Sequence, residues 1–198
     1  MKHEVRRVLA AFAIISLIAG CAESPGVTAP AVSSGPSNRL LLDAPAQVRV
    51  VTRDAPLSAP VSASRLIGFL GGTISLPEAG LSVVIPPFAL TSPTTITVTA
   101  VPGSELAYEF EPHGTVFRVP LLVTQQLAGT SAYAGGLLAT NLRAAYFADA
   151  MDLDQLNGTA LVSELLGTSI NTLNGTVSFA VRHFSGYLIA AGEDGGTQ

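Results

Sequence analysis

The 198 residues allow one domain of ordinary size with extensions; 48 % are hydrophobic and only 12 % charged, with a formal net charge of −4. No basic patch is available, which argues against nucleic-acid or polyanion partners. A single cysteine excludes an internal disulfide, and His113 and His183, the only histidines beyond His3, exclude a multi-histidine metal centre.

The first segment is a targeting signal. Lys2, Arg6 and Arg7 form a basic head, and Val8 to Gly20 form an apolar stretch too short to span a bilayer comfortably. Ile18-Ala19-Gly20-Cys21 resembles a bacterial lipobox, so residues 1–20 read as a lipoprotein signal peptide and Cys21 as the lipidated new N-terminus. An ordinary secretory leader with a chance cysteine is the alternative. Removing residues 1–20 takes three basic residues and one acid, leaving seven arginines against thirteen acids, a charge of about −6. Residues 21–46 carry Cys21 and a flexible Pro/Ser/Ala tether. Its proline-rich part, Ala22 to about Ser37, reaches roughly 50 Å at ~3.1 Å per extended residue.

Strand patterns follow. Leu40-Leu41-Leu42 and Gln47 to Arg53 suggest a first strand, flanked by Asp43-Ala44-Pro45 and Asp54-Ala55-Pro56 as turns. Pro56 to Ser64 reads as a further linker, and Arg65 to Leu70 leads into a hairpin. In that hairpin Ile74 and Leu76 alternate with Thr73 and Ser75 until Pro77; Glu78-Ala79-Gly80 turns; Leu81, Val83 and Ile85 alternate until Pro86-Pro87. Gly71-Gly72 supplies a backbone free to take positive φ. Thr94 to Val101 and Ala107 to Glu111 alternate next, with Tyr108 and Phe110 inward. Phe117, Val119, Leu121 and Val123 make a strand that Pro120 places at an edge or bulge. Ala128 to Thr140 reads as loop, Leu142 to Ala148 as strand and Asp149 to Asn157 as acidic loop. Thr159 to Leu166 and Gly175 to Val181 read as strands joined through Asn174-Gly175, and Ser185 to Ala190 closes the sheet. About ten short strands without a helical period predict an all-β antiparallel sandwich over 47–192, followed by a polar tail, 193–198.

The run Gly71-Gly72, Leu81-Ser82-Val83-Val84-Ile85-Pro86-Pro87-x-Ala89-Leu90, Thr94 to Thr99, then Gly114-Thr115-Val116-Phe117-x-x-Pro120 and His183-Phe184-Ser185-Gly186-Tyr187 resembles the landmarks of the ZU-five domain family. The likeness covers roughly Ile67 to Ala191. One departure is Phe88, where that family usually has glycine, so the turn there is expected to differ. The resemblance implies an interaction or structural module rather than an enzyme, and no cofactor.

Three constellations invite chemistry. Glu109-x-Glu111-x-His113 would line one strand face, as a divalent-cation row or as an ordinary acidic surface, with Pro112-His113-Gly114 breaking the row. Asp149, Asp152, Asp154 and Asn157-Gly158 loosely resemble a calcium loop, but the glycine falls late and no closing glutamate follows. Neither predicts a metal site. His183-Phe184-Ser185 matches a tripeptide at which some ZU-five relatives cut themselves, while ankyrin-type relatives do not. There the Ser185 hydroxyl would attack the Phe184 carbonyl, with His183 taking its proton and Gly186 relaxing the backbone. No nucleophile elbow, phosphate loop or zinc motif is present. A secreted hydrolase, the competing class, would need Glu109, Glu111 and His113 to converge in a cleft. The sequence therefore predicts a lipoprotein of a bacterial envelope, held in the membrane through lipid on Cys21, at the outer membrane or cell surface. Its partner would be an envelope protein or glycan; the alternative is a self-cleaving domain cutting between Phe184 and Ser185.

Overall fold

The computed structural model describes residues 40–134 and 137–191. The expected signal peptide, Cys21, the tether up to residue 39 and the polar tail lie outside the described residues.

The strands, in chain order, are β1 (Leu40–Arg49), β2 (Thr52–Leu57), β3 (Val61–Ile67), β4 (Gly72–Leu76), β5 (Leu81–Ile85), β6 (Thr94–Ala100), β7 (Gly103–Glu105), β8 (Ala107–Glu111), β9 (Val116–Gln126), β10 (Tyr133–Ala134), β11 (Leu137–Leu138), β12 (Arg143–Phe147), β13 (Leu153–Asp154), β14 (Thr159–Leu166), β15 (Thr168–Asn171), β16 (Thr176–His183) and β17 (Gly186–Ala190). An eight-stranded sheet runs β1-β14-β12-β17-β8-β6-β3, with β13 beside β14, and packs on a five-stranded sheet, β15-β16-β9-β5-β4. Neighbouring strands pair antiparallel, as β4 does with β5 and β6 with β8. The fold is an all-β sandwich.

Period-two alternation builds the core. Ile74, Val83, Val123 and Phe179 lie opposite one another across four strands of the smaller sheet. They meet Ile96, Val98, Tyr108 and Phe110 from the larger one, and all of these side chains are buried. Each such large apolar side chain contributes about 1.5–3 kcal/mol on burial. The larger sheet also buries part of its other face. Ala107, Ala145, Phe147, Val162 and Leu188 form a second layer there, closed by the partly buried Leu42, Val101, Leu153 and Leu165. Strand β17 is consequently buried along its whole length.

The central hairpin forms as its sequence dictates. Pro77 ends β4, Pro77–Ala79 makes a single 3-10 turn, and Gly80 closes it at φ 66°. Gly71 sits at φ 69°, and a Cβ there would lie 2.1 Å from the Ile85 carbonyl oxygen, so only glycine fits.

Several boundaries differ from expectation. The sheet begins at Leu40, inside the expected tether, because Leu40 and Leu41 pair with Leu165 and Glu164. Asp43-Ala44-Pro45 is no turn: it lies in an irregularity of β1 between Leu41 and Ala46. Asp54-Ala55-Pro56 lies within β2, in another irregularity, opposite β7. Pro56 to Ser64, expected to be linker, holds the first half of β3, which pairs with β6 in unbroken register from Val61 to Ile67. Ala128 to Thr140 holds the small β10–β11 hairpin. Asn174-Gly175 joins β15 to β16, while β14 belongs to the other sheet. Pro120, expected at an edge or a bulge, sits at the irregular part of β9 between Val116 and Leu121, in a central and not an edge strand. Strand β17 lies between β12 and β8 in the middle of its sheet rather than closing an edge.

Register places four turns at one end of the sandwich. They are the β3–β4 turn (68–71), the β5–β6 loop (86–93), the β8–β9 turn (112–115) and the β16–β17 corner (184–185), as Ile67 opposite Thr94, Gly72 opposite Ile85 and His183 opposite Val116 require.

Candidate functional site

His183-Phe184-Ser185 is where the chain leaves the five-stranded sheet at β16 and enters the eight-stranded sheet at β17. Phe184 is buried at this corner. Its N–H donates to the Thr115 carbonyl at 2.9 Å, and its own carbonyl accepts from the Gly114 N–H at 3.2 Å. Its ring packs edge-on to Phe117 at 4.6 Å and stacks on Phe110 at 5.5 Å. The Ser185 carbonyl accepts from the Phe110 N–H at 3.1 Å, and the residue is buried.

Both nitrogens of the His183 ring face groups other than Ser185. Nδ1 lies 3.2 Å from the Tyr187 hydroxyl, which also donates to the His183 carbonyl at 2.7 Å. Nε2 lies 3.8 Å from the Glu164 carboxylate, which is buried. The Tyr146 ring meets the imidazole edge-on at 5.2 Å. Among the described residues, no hydrogen bond joins the imidazole to the Ser185 hydroxyl. What the corner does offer chemistry is one N–H, that of Gly114, already aimed at the Phe184 carbonyl oxygen.

Gly186 has a reason of its own for lacking a side chain. A Cβ there would lie 2.3 Å from Cε2 of Phe147, its partner on β12. Packing, rather than backbone freedom around the Phe184–Ser185 bond, accounts for this glycine.

Neither of the other two constellations assembles a site. Glu109 is half-buried and lines a cleft of about 490 Å³ with Val101, Phe147, Leu153 and Asp154, whereas Glu111 and His113 are exposed and outside it. In the acidic loop, the Asp149 carboxylate accepts from the Met151 N–H, and that of Asp152 accepts from the Ala148 and Asp149 N–H groups. Asp154 accepts from the Leu156 and Asn157 N–H groups and from the Asn157 side-chain amide at 2.6 Å. That amide, followed by the Asn157 N–H, holds the Asp154 carboxyl below its usual range. Each carboxylate thus caps its own loop. Among the described residues, no group of three or more His, Cys, Asp and Glu side chains could hold a metal.

A buried polar cluster went unread in the sequence. The Tyr108 hydroxyl donates to the Gln125 side-chain oxygen and to the Ala79 carbonyl, and the Gln125 amide donates to the Ala79 and Gln126 carbonyls. The Arg53 guanidinium lies 5.6 Å from the centre of the Tyr108 ring and donates through Nη1 to the Glu105 carbonyl. Burial pushes the Tyr108 phenol up to about 12, against the opposing pull of the Arg53 charge. A signal was available: Gln125 continues the inward positions Leu121 and Val123 of β9.

Apolar groups also gather in the open, at the end of the sandwich that carries the corner. Phe69 is 52 % exposed, Leu70 87 % and Phe88 67 %. The two loops bearing them are tied by the Phe88 N–H, which donates to the Phe69 carbonyl at 2.8 Å. Phe88 has φ 63°, the backbone that glycine adopts freely. Despite the phenylalanine, then, this turn keeps a glycine-type conformation. No model of a known protein family matches the chain, and no curated protein sequence matches it.

Proposed function

We propose that this protein is a lipid-anchored module of a bacterial envelope, held through Cys21, whose ZU-five-like sandwich makes a contact rather than turning over a substrate. The observation that carries the reading is the exposed apolar end: Phe69, Leu70 and Phe88 project from two loops fastened to each other. Two of the three constellations that looked chemical in the sequence are engaged within the fold, His183 by Tyr187 and Glu164, and the loop aspartates by their own N–H groups; Glu111 and His113 of the third do not join Glu109 in its cleft. Two measurements test it. Detergent partitioning should place the protein in the detergent phase, and Cys21→Ser should shift it to the aqueous phase; no shift ends the anchor. A photo-crosslinker at Thr91, exposed in the loop of Phe88, should form adducts in the envelope that one at Leu173, in the β15–β16 turn, does not. Equal labelling at both positions ends the contact surface.

Self-cleavage between Phe184 and Ser185 is the second reading, favoured by the Gly114 N–H on the Phe184 carbonyl, a donor placed where an oxyanion would form. For it, His183 has to leave Tyr187 or Glu164 to reach the Ser185 hydroxyl. Intact-mass measurement of denatured protein decides: a full-length species alone after days at neutral pH rules cleavage out. A shorter species abolished by Ser185→Ala and slowed by His183→Ala establishes it.

A further inference from the structure

We infer that the apolar end inserts into the interfacial layer of a lipid bilayer, Phe69, Leu70 and Phe88 entering the boundary between headgroups and acyl chains. The inference deepens the contact-module reading, on which it rests, by naming the partner.

Side chains come first. Leu66 to Pro77 and Ala79 to Ser104 contain no charged residue, so neither loop carries a charge into a low-dielectric layer. The charges next to the two loops, on β3 and β9, are basic. Arg118 is exposed, and its N–H donates to the carbonyl of Ala89, the neighbour of Phe88. Arg65 lies on β3 with its guanidinium over the start of β4. The carboxylate of Glu111 at the end of β8 is separated from β3 by β6. Arginines beside an apolar tip fit the anionic surface of a membrane.

Backbone groups point the same way. At interfacial depth, each N–H that is absent or bonded within the protein lowers the cost of entry. Pro86, Pro87 and Pro93 have none. The N–H of Phe88 is bonded to Phe69, that of Ala89 to Pro86 at 3.3 Å, and that of Gly71 to Gly68 at 3.1 Å.

Strain supplies an independent argument. A bulky side chain at positive φ is disfavoured, yet the Phe88 ring stands 67 % exposed. The fold tolerates the strain for a ring that adds little to the core; a bilayer gives that ring somewhere to go.

The experiment uses the full chain with Cys21→Ser, so that one introduced thiol carries a fluorophore, either at Thr91 or at Leu173, which is 95 % exposed at the other end of the sandwich. Vesicles of roughly two parts phosphatidylcholine to one of phosphatidylglycerol carry nitroxide groups on their acyl chains. Whatever attachment the N-terminal segment provides is common to all samples. The expected result is quenching of roughly two-fold or more at Thr91 and little at Leu173. It should fall when Phe69→Ser, Leu70→Ser and Phe88→Gly are combined, and partly with Leu70→Ser alone, a surface change that leaves the core intact. No quenching at Thr91, equal quenching at both positions, or quenching that survives the combined replacement overturns the inference. In those cases the contact-module reading still stands or falls on the crosslinking contrast in the envelope.

Discussion

Replacing Gly186 by alanine should destabilise the sandwich by about 1–3 kcal/mol, the range for forcing atoms into a packed site. The alanine Cβ would lie 2.3, 2.5 and 2.7 Å from three carbons of the Phe147 ring, where ordinary contact begins near 3.4 Å. The ring must therefore retreat by roughly 1 Å against a close-packed interior. Phe147 is packed in the second apolar layer against Ala145, Val162 and Leu188, which leaves the cleft it lines beside Glu109 as its one direction of retreat. Strand β17 cannot yield easily, since hydrogen-bonded neighbours hold it on both sides. Urea unfolding measures the loss at unchanged m-value, and the melting midpoint should drop by about 2–4 °C per kcal/mol for a domain of this size. The decisive arm is a double-mutant cycle with Phe147→Leu, which removes the offending ring edge. In that background Gly186→Ala should cost less than half as much. An undiminished loss there, or a loss below about 0.5 kcal/mol in the parent protein, refutes the steric account.

Three further variants test other parts of the fold. The Tyr108 phenol, pushed up to about 12 by burial, should ionise after ordinary tyrosines in an alkaline absorbance titration, and Tyr108→Phe should remove that late component. Because its folded value lies above the unfolded one of about 10, this group's contribution to stability is complete below pH ~10 and is lost as pH rises towards 12; denaturant midpoints across that interval should fall less steeply in Tyr108→Phe. At neutral pH the same variant should lose about 1–3 kcal/mol, because Gln125 and the Ala79 carbonyl lose a buried donor. Phe184→Ala should cost about 3–5 kcal/mol by emptying the space between Phe110 and Phe117, read by urea unfolding. Phe88→Gly should raise stability by about 0.5–1 kcal/mol, relief of the left-handed backbone outweighing glycine's greater unfolded-state entropy; a loss would mean the ring helps hold the loop.

Where proline and glycine punctuate clean alternation, the fold was legible: Ile74 and Leu76, Pro77, Gly80, then Leu81 to Ile85 form the hairpin they announce. The first half of strand β3 was hidden because Val61-Ser62-Ala63-Ser64 alternates only small side chains and follows Pro56 and Pro60, so it reads as linker. The sheet to which β14, β16 and β17 each belong was out of reach for a different reason. Nothing local tells a hairpin within one sheet from a crossing between two; pairing partners far away in sequence decide it. The surroundings of His183 were equally out of reach, since Glu164 and Tyr146 come from strands whose neighbours the sequence does not name. Glu164 did leave a trace: it follows Ala160 and Val162 at strand spacing, a carboxylate where an apolar residue is expected.

Arg65 has a further consequence, for solubility. Strand β4 is the border of the five-stranded sheet, and a border strand with unused carbonyls is a template on which another chain can polymerise. The Arg65 guanidinium crosses from β3, at the border of the other sheet, and donates to the Thr73 carbonyl at 2.9 Å. One side chain thereby occupies an acceptor of one border from the other and sets a positive charge across the gap between them. An arriving strand has to displace that hydrogen bond and accommodate the charge before it can pair. Arg65 is thus a guard against fibre-like growth along this seam.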